Sequence, residues 1–248
     1  MATPSLLLLL ADGRFPAGAH AHSGGLEAAV AAGRVTDLAS LEAFLAGRLA
    51  TAGLVGAAFA AAAHRVAMPE TIGSAHPARS ARPSDAPAES AARSRALARL
   101  DAELDARTAA PALRAVSRRQ GRALLRAGRT IWPDAPFADL PATPGGAHQP
   151  LVLGLLCAAA GLSRVETATI AAYGTLTGAA SAGVRLLGLD PYQVQALLVG
   201  LADACDGTAA DAARAADDPP ERLPAAAAPL ADIHAEIHAT WEVRLFAS

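Results

Sequence analysis

Apolar residues recur along this chain at helical spacings. Leu38, Leu41, Leu45 and Leu49 share one helical face. Leu97, Leu100 and Leu104 restart the period, and Leu197, Leu198 and Leu201 face a core later in the chain. Leu230, Ile233, Ile237 and Trp241 form a last amphipathic helix. Residues 5–11 read as a short apolar helix, and an Ala-rich helix runs on to about Val66. Pro111 opens a helix with Leu113, Val116, Gln120, Leu124 and Ala127 on its inner face, and 151–162 is compact and apolar. Helix starts are marked by local chemistry. Thr36 or Asp37 caps the Leu38 helix, Ser163 and Glu166 form a capping box, and Asp190-Pro191 supplies a cap with Pro at the first helical position. No segment alternates with period two over a useful length, so the pattern predicts an all-α fold of roughly eight to ten helices in one compact domain.

The pattern lapses in three places. Residues 69–90 carry Pro69, Gly73, Pro77, Pro83 and Pro87 among small polar residues and read as a flexible loop within the 1–248 domain. Residues 133–150 form a second Pro/Gly-rich connection, and 203–224 weaken into Ala, Asp and Pro.

Composition sharpens this picture. Aromatics make up only 4% of the chain and Ala dominates its apolar content, which argues for helices packed closely through small side chains. A net charge of −2 sets up no global field toward nucleic acid or an anionic membrane. The chain has no lysine, so it builds neither a P-loop nor a Schiff base. Cys157 and Cys205 lie in helical contexts without a Cys-x-x-Cys pair and read as buried free thiols, which suits the cytoplasm. The leucines at 6–10 are too short a run, without a preceding basic residue, for a secretory signal. The uncharged run 167–184 is rich in Thr, Gly and Ser and reads as a buried helix rather than a membrane span.

The densest cluster of candidate chemistry is the turn from Phe15 to Glu27, which holds Pro16, Gly18, His20, His22, Ser23, Gly24 and Gly25. Proline fixes φ and glycine admits positive φ, so this is a shaped turn. His20 and His22 offer two imidazoles to Ni²⁺ or Zn²⁺, short of the three or four ligands of a tight site. The alternative is that they pack in place of aromatics at a partner surface. His234 and His238 share a helical face, but Ala235 stands where a zincin helix carries Glu. Arg114, Arg118, Arg122 and Arg126 repeat every fourth residue, either as a docking face for an acidic partner or phosphates or as a solvated face. Thr169, Tyr173, Gly174, Thr177, Gly178, Ser181 and Gly183 give one helix a small-residue surface suited to a close helix contact or a dimer. No Gly-x-Ser-x-Gly elbow, paired carboxylates in a turn or dinucleotide fingerprint is present, so no catalytic residue is proposed.

Pro16, Gly18, Ser23, Gly25, Leu26 and Glu27 together resemble the opening signature of the UreF family of urease accessory proteins, with histidines replacing its aromatics. The end of the chain is similar to that family too, in His238, Arg244, Leu245, Phe246 and Ser248, with Ala239 and Glu242 departing from it. Gln120-Gly121-Arg122 and the run 150–155 also resemble family segments. The resemblance implies an all-α, non-enzymatic chaperone subunit of urease maturation. It implies a homodimer that binds a UreD (UreH) scaffold and recruits the nickel-carrying GTPase UreG. The complex then inserts nickel into apo-urease with GTP hydrolysis, and this chain itself holds no firm cofactor. The implied partner-binding residues are Pro16, Gly18, His20, His22, Ser23, Glu27, His238, Arg244, Leu245 and Phe246. Two alternatives stand beside this reading: a direct nickel chaperone using His20 and His22, and an unrelated helical enzyme.

Overall fold

The computed structural model describes residues 4–16, 22–68 and 86–246. Among them are eleven α-helices: α1 Pro4–Ala11, α2 Leu26–Ala31, α3 Leu38–Arg48, α4 Leu54–Ala67, α5 Ala86–Arg107, α6 Pro111–Ile131, α7 Gln149–Ala159, α8 Arg164–Leu187, α9 Pro191–Gly200, α10 Ala202–Ala215 and α11 Pro229–Ala239. No strand occurs among the described residues. A π turn over Leu49–Gly53 joins α3 to α4, so the two run as one helix. The fold is all-α, as the hydrophobic periods predict.

Each start signal acts where the sequence placed it. The Asp37 carboxylate accepts from the Ser40 N–H at 2.8 Å. Ser163 and Glu166 exchange their capping hydrogen bonds, and Asp190 accepts from the Tyr192 N–H at 2.9 Å with Pro191 beside it. Such caps satisfy N–H groups that the first helical turn leaves unpaired.

The α4 helix is the centre of the molecule, packed by α7, α8 and α10. Residues 57–63 are almost wholly enclosed, and six of these seven are Ala, so the neighbours approach closely. Leu38–Ala67 is long and apolar enough to cross a bilayer, yet its second half is the protein's own core helix. Gly154 on α7 lets that helix cross α4 closely: a Cβ there would sit 2.3 Å from the Ala60 carbonyl oxygen. Gly183 on α8 lies against Leu41, so that part of the small-residue surface faces inward, while Tyr173, Gly174 and Ser181 face out.

Two readings are corrected. Residues 86–90 belong to α5, where Ser90 donates to Asp139 at 2.6 Å, so the reading of 69–90 as a loop extends too far; 69–85 lie outside the described residues. The 203–224 stretch is not irregular throughout, because α10 occupies most of it and buries Cys205, Ala209, Ala212 and Ala213 against α4 and α8. Both cysteines are buried and free, and burial pushes the Cys157 thiol up to about 12.

A polar cluster ties α5, α6 and α7 together. His148 is fully buried; its Nε2–H donates to Asp105 at 2.7 Å and its Nδ1 accepts from the Ser117 hydroxyl at 2.9 Å. The His148 backbone N–H donates to Asp101 at 3.1 Å, and Arg118 Nη2 bridges Asp101 at 2.9 Å and Asp105 at 3.0 Å. Burial lowers the His148 pKa below 6.5 despite the Asp105 contact, so a neutral imidazole donates here rather than an ion pair. Burial likewise lowers His64, whose Nε2 contacts the Leu162 carbonyl at 2.7 Å. Both imidazoles therefore bind protons less readily folded than unfolded. Stability rises with pH through 6.5 and is lost as the unfolded histidines protonate below it. The melting temperature is expected to fall from about pH 7.5 to about pH 5.5, with a smaller slope in His64→Gln. Equal slopes in the two proteins would remove His64 from this account.

Candidate functional site: the two chain ends meet at Glu27

The opening turn is built around Glu27. Phe15 is buried and Pro16 is exposed, while 17–21, including Gly18 and His20, lie outside the described residues. His22 is half-buried. The buried Ser23 hydroxyl accepts from the Glu27 N–H at 3.2 Å. Gly24 and Gly25 have φ of +63° and +90°, a left-handed backbone that glycine adopts without penalty. Arg48, the last residue of α3, donates to the Gly24 carbonyl and holds the turn. Its Nε is sealed from solvent without a partner among the described residues, although other parts of the residue remain accessible, and burial pulls this guanidinium down to about 10. Nothing in the local sequence pattern marked Arg48, since its contact lies 24 residues away.

Glu27 collects the C-terminal tail. Its Oε1 accepts from the Leu245 N–H at 2.8 Å. Its Oε2 accepts from the Phe246 N–H at 3.0 Å and from His238 Nε2 at 2.9 Å. Burial alone would raise the Glu27 pKa, but the Leu245, His238 and Phe246 donors together outweigh it and the net shift is downward. The carboxylate is buried, and its donors come from the tail and from α11. The His238 ring lies 4.8 Å from that of Trp241, and the Arg185 guanidinium sits 4.9 Å above the Phe246 ring. Thus Phe246 anchors the tail inward, while Val243, Arg244 and Leu245 face solvent.

The tail follows a helix whose apolar stripe faces out. Leu230, Ile233 and Ile237 are about half exposed, whereas the buried residues of α11 are Ala235 and His238. An amphipathic helix ordinarily turns such a stripe inward. Here the Glu27–His238 contact fixes the opposite face, and the stripe runs on in sequence to exposed Val243 and Leu245.

The protein-family model described as UreF matches residues 35–202. A urease accessory protein UreF of Mycolicibacterium vanbaalenii is 41% identical over 248 residues, all of both chains. Its namesakes in Mycobacterium sp. strain JLS and Mycobacterium marinum are each 42% identical over the same full length. The chain belongs to the UreF family. Membership places it among the urease accessory proteins, which serve urease maturation and are generally non-catalytic. The family model stops short of both halves of the Glu27 site, but the full-length relatives span them.

In this UreF-family chain the arginine stripe divides. Arg118 is held by Asp101 and Asp105, and Arg114 donates to the Thr108 and Ala109 carbonyls at 2.6 and 2.9 Å. These two are structural ties between α6 and its neighbours, not part of an open docking face. Arg122 donates to the Gly145 carbonyl and stays exposed, as does Arg126. Among the described residues no three His, Cys, Asp or Glu side chains converge as metal ligands. His238 is committed to Glu27, and His234 is half-buried on α11.

Proposed function

We propose that this chain is the adaptor of a urease-maturation complex. It docks on a UreD (UreH) scaffold, recruits the GTPase UreG and so lets nickel pass to apo-urease, as a homodimer in the cytoplasm. In this reading nickel is the cargo of the complex, and nucleotide chemistry belongs to the lysine-bearing partner, since this chain has no lysine for a P-loop.

The observation that carries the scaffold-facing surface is the Glu27 clasp. It presents Val243, Arg244 and Leu245 outward beside an α11 whose Leu230, Ile233 and Ile237 are uncovered. Large aliphatic side chains held half exposed on an ordered helix are the usual make-up of an interface core. Pro16, Ser23, Glu27, His238 and Phe246 then act by shaping that surface, half-buried His22 adjoins it, and Gly18 and His20 are assigned to it from the sequence alone.

Truncation after Val243 is expected to abolish capture of the scaffold and urease activation. Ile233→Asp with Ile237→Asp is expected to weaken capture by about 100-fold with an unchanged melting curve, because two central apolar contacts become buried charges. Full activation by the truncated chain would overturn the assignment of this surface.

A further inference from the structure

Several arginines pair with a carboxylate within the fold. Arg93 meets Asp139, Arg99 meets Glu221, Arg107 meets Glu103, Arg164 meets Asp217 and Arg214 meets Asp211. The stretch of α6 from Arg119 to Arg129 differs. Arg119, Arg122, Arg126 and Arg129 are all exposed there, with no carboxylate in salt-bridge range among the described residues. They line a cleft of about 640 Å³ between α6 and the connection that follows it. Its floor and far wall are apolar and include Ala123, Leu125, Leu140 and Pro141. This is the exposed remnant of the stripe once Arg114 and Arg118 are removed, with Arg119 and Arg129 added.

We infer that this cleft docks an acidic amphipathic helix of a partner protein. From Arg119 to Arg129 the ladder extends about 15 Å along the helix axis, at 1.5 Å per residue. A single phosphate is gripped by donors that converge on a point, whereas these are spread over about three turns. A partner helix with Glu or Asp on one edge and Ala or Leu beside it matches both the charged rim and the apolar floor. Nucleic acid is the poorer match, because the lining holds no exposed aromatic to stack a base: Phe137, its one ring, is buried. The cleft is separate from the Glu27 surface, so this inference does not rest on where the scaffold docks.

The test uses the full chain and a fluorescent Ala/Leu/Glu peptide of about 18 residues, with all Glu on one helical edge. A second peptide has the same composition in scrambled order. Fluorescence anisotropy is expected to show salt-dependent binding of the first peptide and weaker binding of the second. Arg126→Glu with Arg129→Glu is expected to reduce affinity by at least about 10-fold, and Arg126→Lys with Arg129→Lys to retain most of it. Among the described residues neither side chain has a partner, so the circular dichroism spectrum stays unchanged and the Glu variant melts only slightly earlier, because a carboxylate at position 129 opposes the dipole in the last turn of α6. Wild-type binding by the Glu variant or equal binding of the scrambled peptide would overturn the inference. So would displacement of the peptide by millimolar inorganic phosphate or by a single-stranded oligonucleotide. Unchanged peptide binding by the chain truncated after Val243 is expected; its loss would place the peptide on the tail surface instead.

Discussion

Glu27→Gln is expected to release the C-terminal tail while the helical core stays folded. Three donors converge on the carboxylate: two backbone N–H groups of the tail and the His238 imidazole. A glutamine offers one acceptor oxygen and turns an NH₂ group toward a second donor. Hydrogen bonds to a charged group contribute about 1.5–3 kcal/mol each and are not additive, so tail docking weakens by about 2–4 kcal/mol. Amide exchange at Leu245 and Phe246 would speed up by about 30-fold or more, since 1.4 kcal/mol is tenfold. Scaffold capture and urease activation would fall with it. Burial opposes the charge on Glu27, but its donors outweigh burial and hold the folded pKa below 4.5. Its contribution is therefore present above 4.5 and is lost as pH falls through the lower folded value. The Gln variant lacks that acid transition. Wild-type exchange rates in the tail of Glu27→Gln would rule out the clasp.

Gly154→Ala is expected to be among the most damaging single-methyl changes in this protein. The new Cβ would lie 2.3 Å from the Ala60 carbonyl oxygen, 2.8 Å from the Ala63 Cβ and 2.8 Å from the His64 nitrogen. Two of those three are backbone atoms of the central helix, so no side chain can swing away to relieve the clash. Separating α4 from α7 would open the most heavily packed crossing in the molecule, at a loss of at least about 3 kcal/mol. Gly56→Ala is the control. It lies on the same α4 helix, with nothing nearer than the Pro150 Cγ at 4.0 Å. That variant is expected to be neutral or up to about 1 kcal/mol more stable, because Ala is the better helix former. Urea denaturation of the pair checks both directions, and equal midpoints would mean that the crossing relaxes.

The features legible in the sequence share a short range. Asp37 with Ser40, Ser163 with Glu166 and Glu103 with Arg107 sit three or four residues apart, so each pair is read directly from the chain. The buried leucines of α3 and α5 announce themselves through their period. The α10 helix does not, because its buried face is Cys205 and alanines, which carry little hydrophobic contrast against the Ala on its exposed side. For the candidate site, composition and order pointed to both chain ends. They did not show that the ends bind each other, since Glu27 reaches partners 211, 218 and 219 residues away. The arginine stripe was visible as a spacing, but which arginines already had partners depended on Asp101 and Asp105 from α5 and on carbonyls brought in by neighbouring segments.

By itself, then, the sequence determined the all-α class, most helix starts and the resemblance that the family match bears out, because caps and periodicity act within a turn or two of the backbone. Only the tertiary structure decided which way α11 faces. A periodic apolar stripe says that a helix has two unlike sides, but which side is covered depends on what the rest of the chain offers. Here a buried carboxylate near the N-terminus takes His238 and the tail backbone, and that contact turns Leu230, Ile233 and Ile237 outward.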